Sequence, residues 1–209
     1  GIAGDLLGYD FVFQLTAAGY LIVAIFTFLF FKDLRNAEMS GDQVGTDNRA
    51  ENYQDKKFWD HYGPVLAQGL VAALFFLAVG VSFAFVPLFA NEVLGLDSGD
   101  VGIFYTVSGI ACMILIFPAG WFSDKVGRLS VMAIGFAVSA ISMIGIAISF
   151  NLLVLLVSAV FLGASYAIFN PSSSARISDI SSLSRHGTIM GLYGVMEDLG
   201  VIFGPLVGG

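Results

Sequence analysis

Charged residues are scarce in this sequence, and so are the residues that build metal sites. Of its 209 residues only 12% are charged, with one cysteine and two histidines. The lone cysteine, Cys112, excludes an internal disulfide and any metal site made of several cysteines, and two histidines are too few for a histidine-rich metal site. Nine Lys and Arg against 16 Asp and Glu leave no basic field for nucleic acid. We therefore expect no cofactor and no nucleic-acid partner.

Long apolar runs make up most of the chain instead. Hydrophobic residues are 57% of the sequence, whereas a soluble domain has about 45–50%. A membrane-spanning helix needs about 20 mostly apolar residues. Six stretches meet this requirement: Phe11–Phe31, Val65–Ala90, Val101–Phe122, Leu129–Phe150, Leu152–Pro171 and Thr188–Gly208. The sequence therefore predicts an all-α integral membrane protein with six transmembrane helices. Asn170 and Pro171, with the serines that follow them, are interpreted as a helix end.

All nine basic residues fall in three joints between the predicted helices, namely 32–63, 123–128 and 172–187. Because successive helices alternate in direction, these joints lie on one side of the membrane. The other side carries only acids, such as Glu92 and Asp97. Cytoplasmic loops are enriched in Lys and Arg. We therefore expect a multi-pass protein of the cell membrane, in contact with the lipid bilayer, whose Lys32–Gly63 loop is cytoplasmic.

The joint after the third predicted helix has the pattern G-x3-D-K-x-G-R, formed by Gly120, Asp124, Lys125, Gly127 and Arg128. We expect a tight turn in which Gly120 lets two helices approach closely. Asp124 is expected to cap the following helix, and Gly127 to supply a permissive backbone. Lys125 and Arg128 would hold the joint on the cytoplasmic side and pair with Asp124 or with lipid phosphate.

The last predicted helix carries glycines and a proline at regular spacings. They are Gly191, Gly200, Gly204, Pro205, Gly208 and Gly209. At about 3.6 residues per turn, Gly200, Gly204 and Gly208 share one face, a pattern that lets helix backbones approach closely. Pro205 removes one helical hydrogen bond. The pattern predicts a bent helix packed backbone to backbone against a neighbour.

These two motifs resemble those of transporters of the major facilitator superfamily. Gly120–Arg128 resembles the loop motif that the family repeats between helices two and three and between helices eight and nine. Leu129 stands where a basic residue is common. The glycine and proline pattern resembles a motif of the family's antiporter branches. The resemblance implies alternating access, with Gly120–Arg128 as a cytoplasmic gating loop, and proton-coupled efflux of drug-like or other small molecules. The implied partners are a small-molecule substrate and protons or another coupling ion.

The resemblance also implies which part of such a transporter this chain represents. The first half of the family has an Arg in its fourth helix, and the corresponding Val157–Phe161 has none. An extra predicted helix and a long joint also precede the motifs. The chain therefore resembles helices six to eleven of twelve. Residues 1–31 would be the last helix of the N-terminal half, 32–63 the central loop, and 64–209 the C-terminal half without its twelfth helix. We expect a piece of a longer protein, whose N-terminal half is missing.

Two acids, Glu197 and Asp198, lie deep in the last predicted helix. Glu197 is about 14 Å beyond Thr188 at about 1.5 Å per residue, near the middle of a hydrocarbon core of about 30 Å. A charge there costs at least about 2.5–3.5 kcal/mol, so such residues are functional candidates. One of them would take up a proton or pair with a cationic substrate. The alternative is a carboxyl hydrogen-bonded to a neighbouring helix for packing. Gln68 is expected to hydrogen-bond at the interface or between helices, and Tyr193 to line a cavity or to pack.

An enzyme is not expected. Ser165 faintly resembles a rhomboid-type serine, but both histidines lie in joints, and no zinc-protease or paired-aspartate pattern is present. Two alternatives to the exporter stay open. One is an uptake symporter for a sugar or an organic anion, and the other is a transport-dead receptor or scaffold with the same fold.

Overall fold

A computed structural model describes residues 8–40, 58–181 and 186–208, with side chains described within 8–25, 63–181 and 186–206. Over these residues the chain forms α-helices and no strand. The helices are α1 (Tyr9–Ser40), α2 (Phe58–Glu92), α3 (Ser98–Val126), α4 (Arg128–Ala147), α5 (Leu152–Ile180) and α6 (His186–Gly208).

Five of these helices are long and apolar enough to cross a membrane within the described residues. The apolar part of α1 that is described, Tyr9–Ile25, is shorter. The five segments are Gly63–Glu92, Ser98–Val126, Arg128–Ala147, Leu152–Ile180 and His186–Leu206. The predicted all-α membrane architecture is confirmed, and the chain is a multi-pass membrane protein.

Side-chain caps lie at the starts of α3 and α5. Asp97 caps α3, because its side chain accepts a hydrogen bond from the Asp100 amide at 3.0 Å while its own amide donates to the Asp100 carboxyl at 3.3 Å. Asn151 caps α5 by accepting from the Val154 amide at 2.9 Å. Such reciprocal or single caps satisfy free amides of the first turn. As a result α3 begins three residues before the predicted span.

The predicted helix end at Asn170 and Pro171 is wrong, because α5 continues through Pro171 to Ile180. A proline removes only one backbone donor, and a membrane helix tolerates this when side chains satisfy nearby groups. The carbonyl without its usual donor is that of Ala167, four residues before Pro171, and the adjacent Ile168 carbonyl accepts a hydrogen bond from the Ser172 hydroxyl at 2.8 Å. Helices also extend into both ends of the predicted central loop, since α1 reaches Ser40 and α2 starts at Phe58. The rest of that loop lies outside the described residues.

An aromatic cluster ties α1, α2, α4 and α5 together. Phe75 stacks on Phe169 with ring centroids 3.9 Å apart, and the Phe136 ring meets both edge-on at 5.5 and 5.2 Å. The Tyr20 ring lies 5.6 Å from that of Phe136, and its hydroxyl donates to the Phe75 carbonyl at 2.6 Å. All four side chains are buried. Offset and edge-on aromatic pairs of this kind add to the free energy of burial.

Short connections reverse the chain between successive helices from α2 to α6. One end of the bundle, here called the basic end, holds Lys125 and Arg128; the opposite, acidic end holds Glu92, Asp97 and Asp100. A hydrogen bond of 2.7 Å from the Tyr9 hydroxyl to the Glu92 carboxyl places the start of α1 at the acidic end. Lateral packing is most extensive between α2 and α6, between α5 and both α3 and α4, and between α1 and α4.

Candidate functional site

Glu197 lies in the middle of the 23-residue helix α6. One of its carboxyl oxygens, Oε1, is shielded from solvent and has no hydrogen-bond partner among the described residues. The carboxyl interacts with Tyr193, one turn earlier in α6, and with Tyr166 of α5. The Tyr166 ring in turn meets Phe76 of α2 edge-on at 5.9 Å. A carboxyl beside two tyrosines whose shielded oxygen has no partner is unusual, because buried polar groups are nearly always paired.

Asp198 lies on a different face of α6 and is exposed, whereas Glu197 is half-buried. This fits the helical geometry, which turns successive residues well apart. The two acids therefore have different surroundings within this chain. Glu197 faces α5, and Asp198 faces outward from the described bundle. Of the two predicted candidates, Glu197 has the more enclosed carboxyl.

A buried polar cluster joins α2, α5 and α6 on the basic-end side of Glu197. The Tyr193 hydroxyl donates to Ser173 Oγ at 2.6 Å, and Gln68 Nε2 donates to the same oxygen at 2.9 Å. Gln68 Nε2 also lies 3.6 Å from the sulfur of Met132 in α4. Gln68, Ser173 and Tyr193 are all at most 4% exposed. We call these three residues the polar cluster.

The polar cluster was only partly predictable. The interhelical hydrogen bonding expected of Gln68 is confirmed. Ser173 was missed, because the sequence placed it in a joint beyond Pro171. The available signal was the run of serines that follows Pro171, since serine hydroxyls commonly hydrogen-bond within or between membrane helices.

The α2 and α6 backbones approach so closely that only glycine fits at three positions. A β-carbon at any of these glycines would overlap a carbonyl oxygen of the facing helix. Approaches of this kind are typical of small-residue helix contacts in membranes and of Cα–H···O contacts. The three contacts, here called the glycine contact, are Gly200 against Ala73, Gly204 against Leu77 and Gly80 against Val201.

Pro205 affects a carbonyl group that takes part in the glycine contact. Its missing amide leaves the Val201 carbonyl, four residues earlier, without its usual helical donor. That carbonyl is the one that lies against Gly80. Gly191 has open space around it in the described bundle, so the predicted motif divides into a packed part and an open part. The side chain position of Gly208 and all of Gly209 lie outside the described residues.

Arg128 connects the loop motif to the end of α5. Its Nε lies 2.9 Å from a carboxyl oxygen of Asp179, while its Nη2 lies 3.8 Å from Asp124. Lys125 Nζ lies 3.8 Å from the centroid of a Trp121 ring, in cation–π geometry. The pairing of Arg128 with Asp124 is therefore present but long. The shorter partner, Asp179, was not predicted, because the sequence placed it in a loop.

One prediction about this loop is wrong, and another is not met within the described bundle. Asp124 does not cap α4, because α3 continues to Val126 and Gly127 is the residue before α4, with no side-chain cap. Gly120 does not permit a close helix approach within the described bundle, where nothing lies within 4 Å of its β position. The permissive backbone predicted at Gly127 is confirmed, since its φ is +101° and its ψ is 133°.

Gly127→Ala is expected to destabilise the protein by about 1–3 kcal/mol, because a non-glycine residue is strained at this backbone conformation. The space around the β position is open, so the cost comes from the backbone alone. Thermal denaturation in detergent measures it. The matched control is Gly102→Ala, which also meets open space but lies inside α3; there alanine is expected to be neutral or stabilising. Equal effects of the two changes would contradict this account of Gly127.

Arg128 and Asp179 are expected to show a coupling free energy of about 0.2–1 kcal/mol, the range of exposed ion pairs. The magnitude is small because the side chains are 27% and 57% exposed. A double-mutant cycle with Arg128→Gln and Asp179→Asn measures it, and raising the salt concentration should reduce it. The same cycle with Asp124→Asn should give a smaller value, since that ion pair is 3.8 Å long. A larger coupling to Asp124 would contradict the observed geometry.

The described residues contain no group of three or more His, Cys, Asp or Glu side chains that could hold a metal ion. The ionisable groups near the middle of the bundle are instead Glu197 and the phenols beside it. This arrangement can bind a proton or a cationic group at the Glu197 carboxyl.

Comparison with known proteins gives a match over the same region. A family model described as Major Facilitator Superfamily matches residues 68–209, which include both motifs, the polar cluster and Glu197. The quinolone resistance protein NorA of Staphylococcus aureus strain Mu50 is 29% identical over 136 residues, covering 65% of this chain and 35% of NorA. The uncharacterized MFS-type transporter YqjV of Bacillus subtilis strain 168 is 26% identical over 153 residues, covering 73% of this chain and 37% of YqjV. The match thus spans only about a third of the length of each relative.

Proposed function

Because the chain belongs to the major facilitator superfamily, we propose that it is part of a secondary active transporter that exports small molecules in exchange for protons. Glu197 carries this proposal. Its carboxyl lies in the middle of α6 with one buried oxygen unpaired, and a group at this depth is costly as an ion. A carboxyl in that position can take up a proton on one side of the membrane and release it on the other.

Alternating access is the mechanism that accompanies this fold. Two halves rock around a site near the middle of the membrane. The family match over residues 68–209 fits residues 64–209 as most of one half, and residues 1–31 are proposed to be the last helix of the other. The remaining N-terminal half would supply the rest of the substrate site.

The basic end is proposed to be cytoplasmic, in line with the enrichment of Lys and Arg in cytoplasmic loops. This places the Lys32–Gly63 loop inside a cell and the acidic end outside, in the plasma membrane. The loop motif would then contribute to the cytoplasmic gate, because Arg128 pairs with Asp179 at the end of α5. Opening of this gate requires that ion pair to separate or to move as a unit.

Export rather than uptake is supported by the similarity to NorA, whose name describes quinolone resistance. A quinolone is therefore a suitable transport probe, and its fluorescence allows it to be followed. The full-length protein, reconstituted in liposomes, should accumulate the probe when the lumen is made acidic, because protons that leave the lumen drive the probe inward. The control is the same liposomes with the gradient collapsed by a protonophore.

The direction of coupling decides between the candidate functions. Accumulation driven by an acidic exterior would indicate an uptake symporter instead. Flux that does not depend on the pH gradient across the liposome membrane would contradict proton coupling. Folded protein that moves neither the quinolone nor other small molecules would indicate a receptor or scaffold, and would overturn the proposal.

A further inference from the structure

The helices of the described bundle pack in two groups. α2 and α6 form one group through the glycine contact, and α3, α4 and α5 form the other, with α1 against α4. Packing between the two groups is sparse. The Phe75–Phe169 ring stack and the polar cluster are among the few contacts that join them. Between α5 and α6 in particular, the short polar links are the hydrogen bond from Tyr193 to Ser173 and, where the two helices meet in sequence, a hydrogen bond of 2.6 Å between Ser181 and His186.

The Tyr193 hydroxyl has two competing acceptors. It donates to Ser173 Oγ at 2.6 Å, and the Glu197 carboxyl lies one helical turn along α6, the spacing at which side chains of a helix are neighbours. A phenol has one proton to donate, so it can serve one acceptor fully at a time. A carboxylate is the stronger acceptor, because hydrogen bonds to ionised groups are about twice as strong as those between neutral groups. A protonated carboxyl loses that advantage.

We propose that Tyr193 is a positioning residue whose hydroxyl donates to Ser173 when Glu197 is protonated and to Glu197 when Glu197 is ionised. This inference rests on the proposed function. The hydrogen bond from Tyr193 to Ser173 then exists only in the protonated state. Loss of the proton weakens the contact between α6 and α5, while the Gln68–Ser173 hydrogen bond and the Phe75–Phe169 stack still hold α2 against α5. Tyr193 keeps its own proton throughout, and the only proton gained or lost is that of Glu197.

Few other ionisable groups face this part of the bundle. Asp198 follows Glu197 in α6, Tyr166 faces it from α5, and Cys112 of α3 lies beside Tyr166. From Gly63 to Asn91, α2 has no ionisable side chain. No Lys or Arg occurs in the sequence of α6. Glu197 follows Tyr193 by one helical turn in α6. The basic side chains nearest in sequence to the polar cluster are Arg176, three residues after Ser173 in α5, and His186 at the start of α6.

The direct test measures the distance between α5 and α6 at the basic end as the pH changes. Spin labels at Ser178→Cys and Thr188→Cys, both exposed positions, report this distance in the full-length protein with Cys112→Ala. His186→Gln is included in the same background, because His186 contacts Ser181 between the two labels. The wild-type background should show a pH-dependent shift of about 1–2 Å, the usual size of helix shifts. Tyr193→Phe and Ser173→Ala should each abolish the pH dependence. Glu197→Gln should hold the distance at its low-pH value.

Tyr20→Phe is the matched control, because it also removes a buried hydroxyl that donates at 2.6 Å to another helix. It should leave the pH dependence intact. A merely structural Tyr193 would change the distance equally at all pH values, and that result would overturn the inference. So would a pH dependence that survives both Tyr193→Phe and Ser173→Ala.

Transport separates failure of this inference from failure of the proposed function. Tyr193→Phe is expected to lower gradient-driven flux about tenfold, which corresponds to loss of one hydrogen bond to a charged group. Gradient-independent exchange should be less affected. If Glu197→Gln abolishes driven flux while Tyr193→Phe leaves it unchanged, the positioning role is refuted and the proposed function stands. If Glu197→Gln has no effect, the proposed function itself fails.

Discussion

Glu197→Gln is expected to abolish proton-driven transport by the full-length protein, with a loss of at least about 100-fold, the lower end of what a positioned proton-transfer group contributes. Glutamine keeps the shape and polarity of the side chain but cannot exchange a proton at this site. Because the Glu197 Oε1 atom has no hydrogen-bond partner in the described bundle, replacing it should not break a packing contact. Folding and gradient-independent exchange should therefore persist. Flux into liposomes with and without an acidic lumen measures both quantities.

Asp198→Asn is the comparison that assigns the coupling role. Asp198 lies next to Glu197 but is exposed on another face of α6, and driven transport should survive its neutralisation to a large extent. Loss of driven flux in Asp198→Asn alone would move the role to that residue. Full proton-driven transport in both variants would end the proton-coupling hypothesis for this helix.

Gly204→Leu is expected to prevent α2 and α6 from packing. A β-carbon at Gly204 would already overlap the Leu77 carbonyl and approach the Val81 amide nitrogen at 2.7 Å. Backbone atoms cannot rotate away, so the helices must separate. We expect a destabilisation at or above the upper end of about 1–3 kcal/mol for overpacking, seen as a lower denaturation midpoint or loss of folded protein. Gly204→Ala should have a smaller effect in the same direction.

Gly194→Leu is the matched control, since it places the same side chain in the same helix where nothing lies within 4 Å of the β position. Its stability in detergent should stay close to that of the unmodified protein. Gly200→Leu should behave like Gly204→Leu, because its β position overlaps the Ala73 carbonyl. If Gly204→Leu and Gly194→Leu are equally tolerated, the glycine contact between α2 and α6 is not as described.

The sequence predicted features that depend on one helix at a time. Apolar length identified the five helices that are long enough to cross a membrane, and the periodicity of Gly200 and Gly204 identified the face that packs. The same periodicity separated Glu197 from Asp198. These properties follow from helix geometry and composition, which a single sequence contains.

The features that were missed depend on contacts between helices or on caps. Nothing in the sequence indicated that Gly80 would lie against the carbonyl left free by Pro205, or that Ser173 would accept from both Gln68 and Tyr193. Because the end of α5 was predicted to be a loop, Asp179 was not recognised as the partner of Arg128. Proline suggested a helix end there, but a membrane helix can continue through the loss of one backbone donor.

Substrate-induced proton release tests the central claim most directly. Adding the fluorescent probe to the purified full-length protein in weakly buffered detergent solution, with a pH-sensitive dye present, reports protons displaced by binding. The account predicts proton release from the unmodified protein, reduced to background in Glu197→Gln even though that variant still binds the probe. Equal proton release from the two proteins would contradict the assignment of Glu197 as the proton carrier.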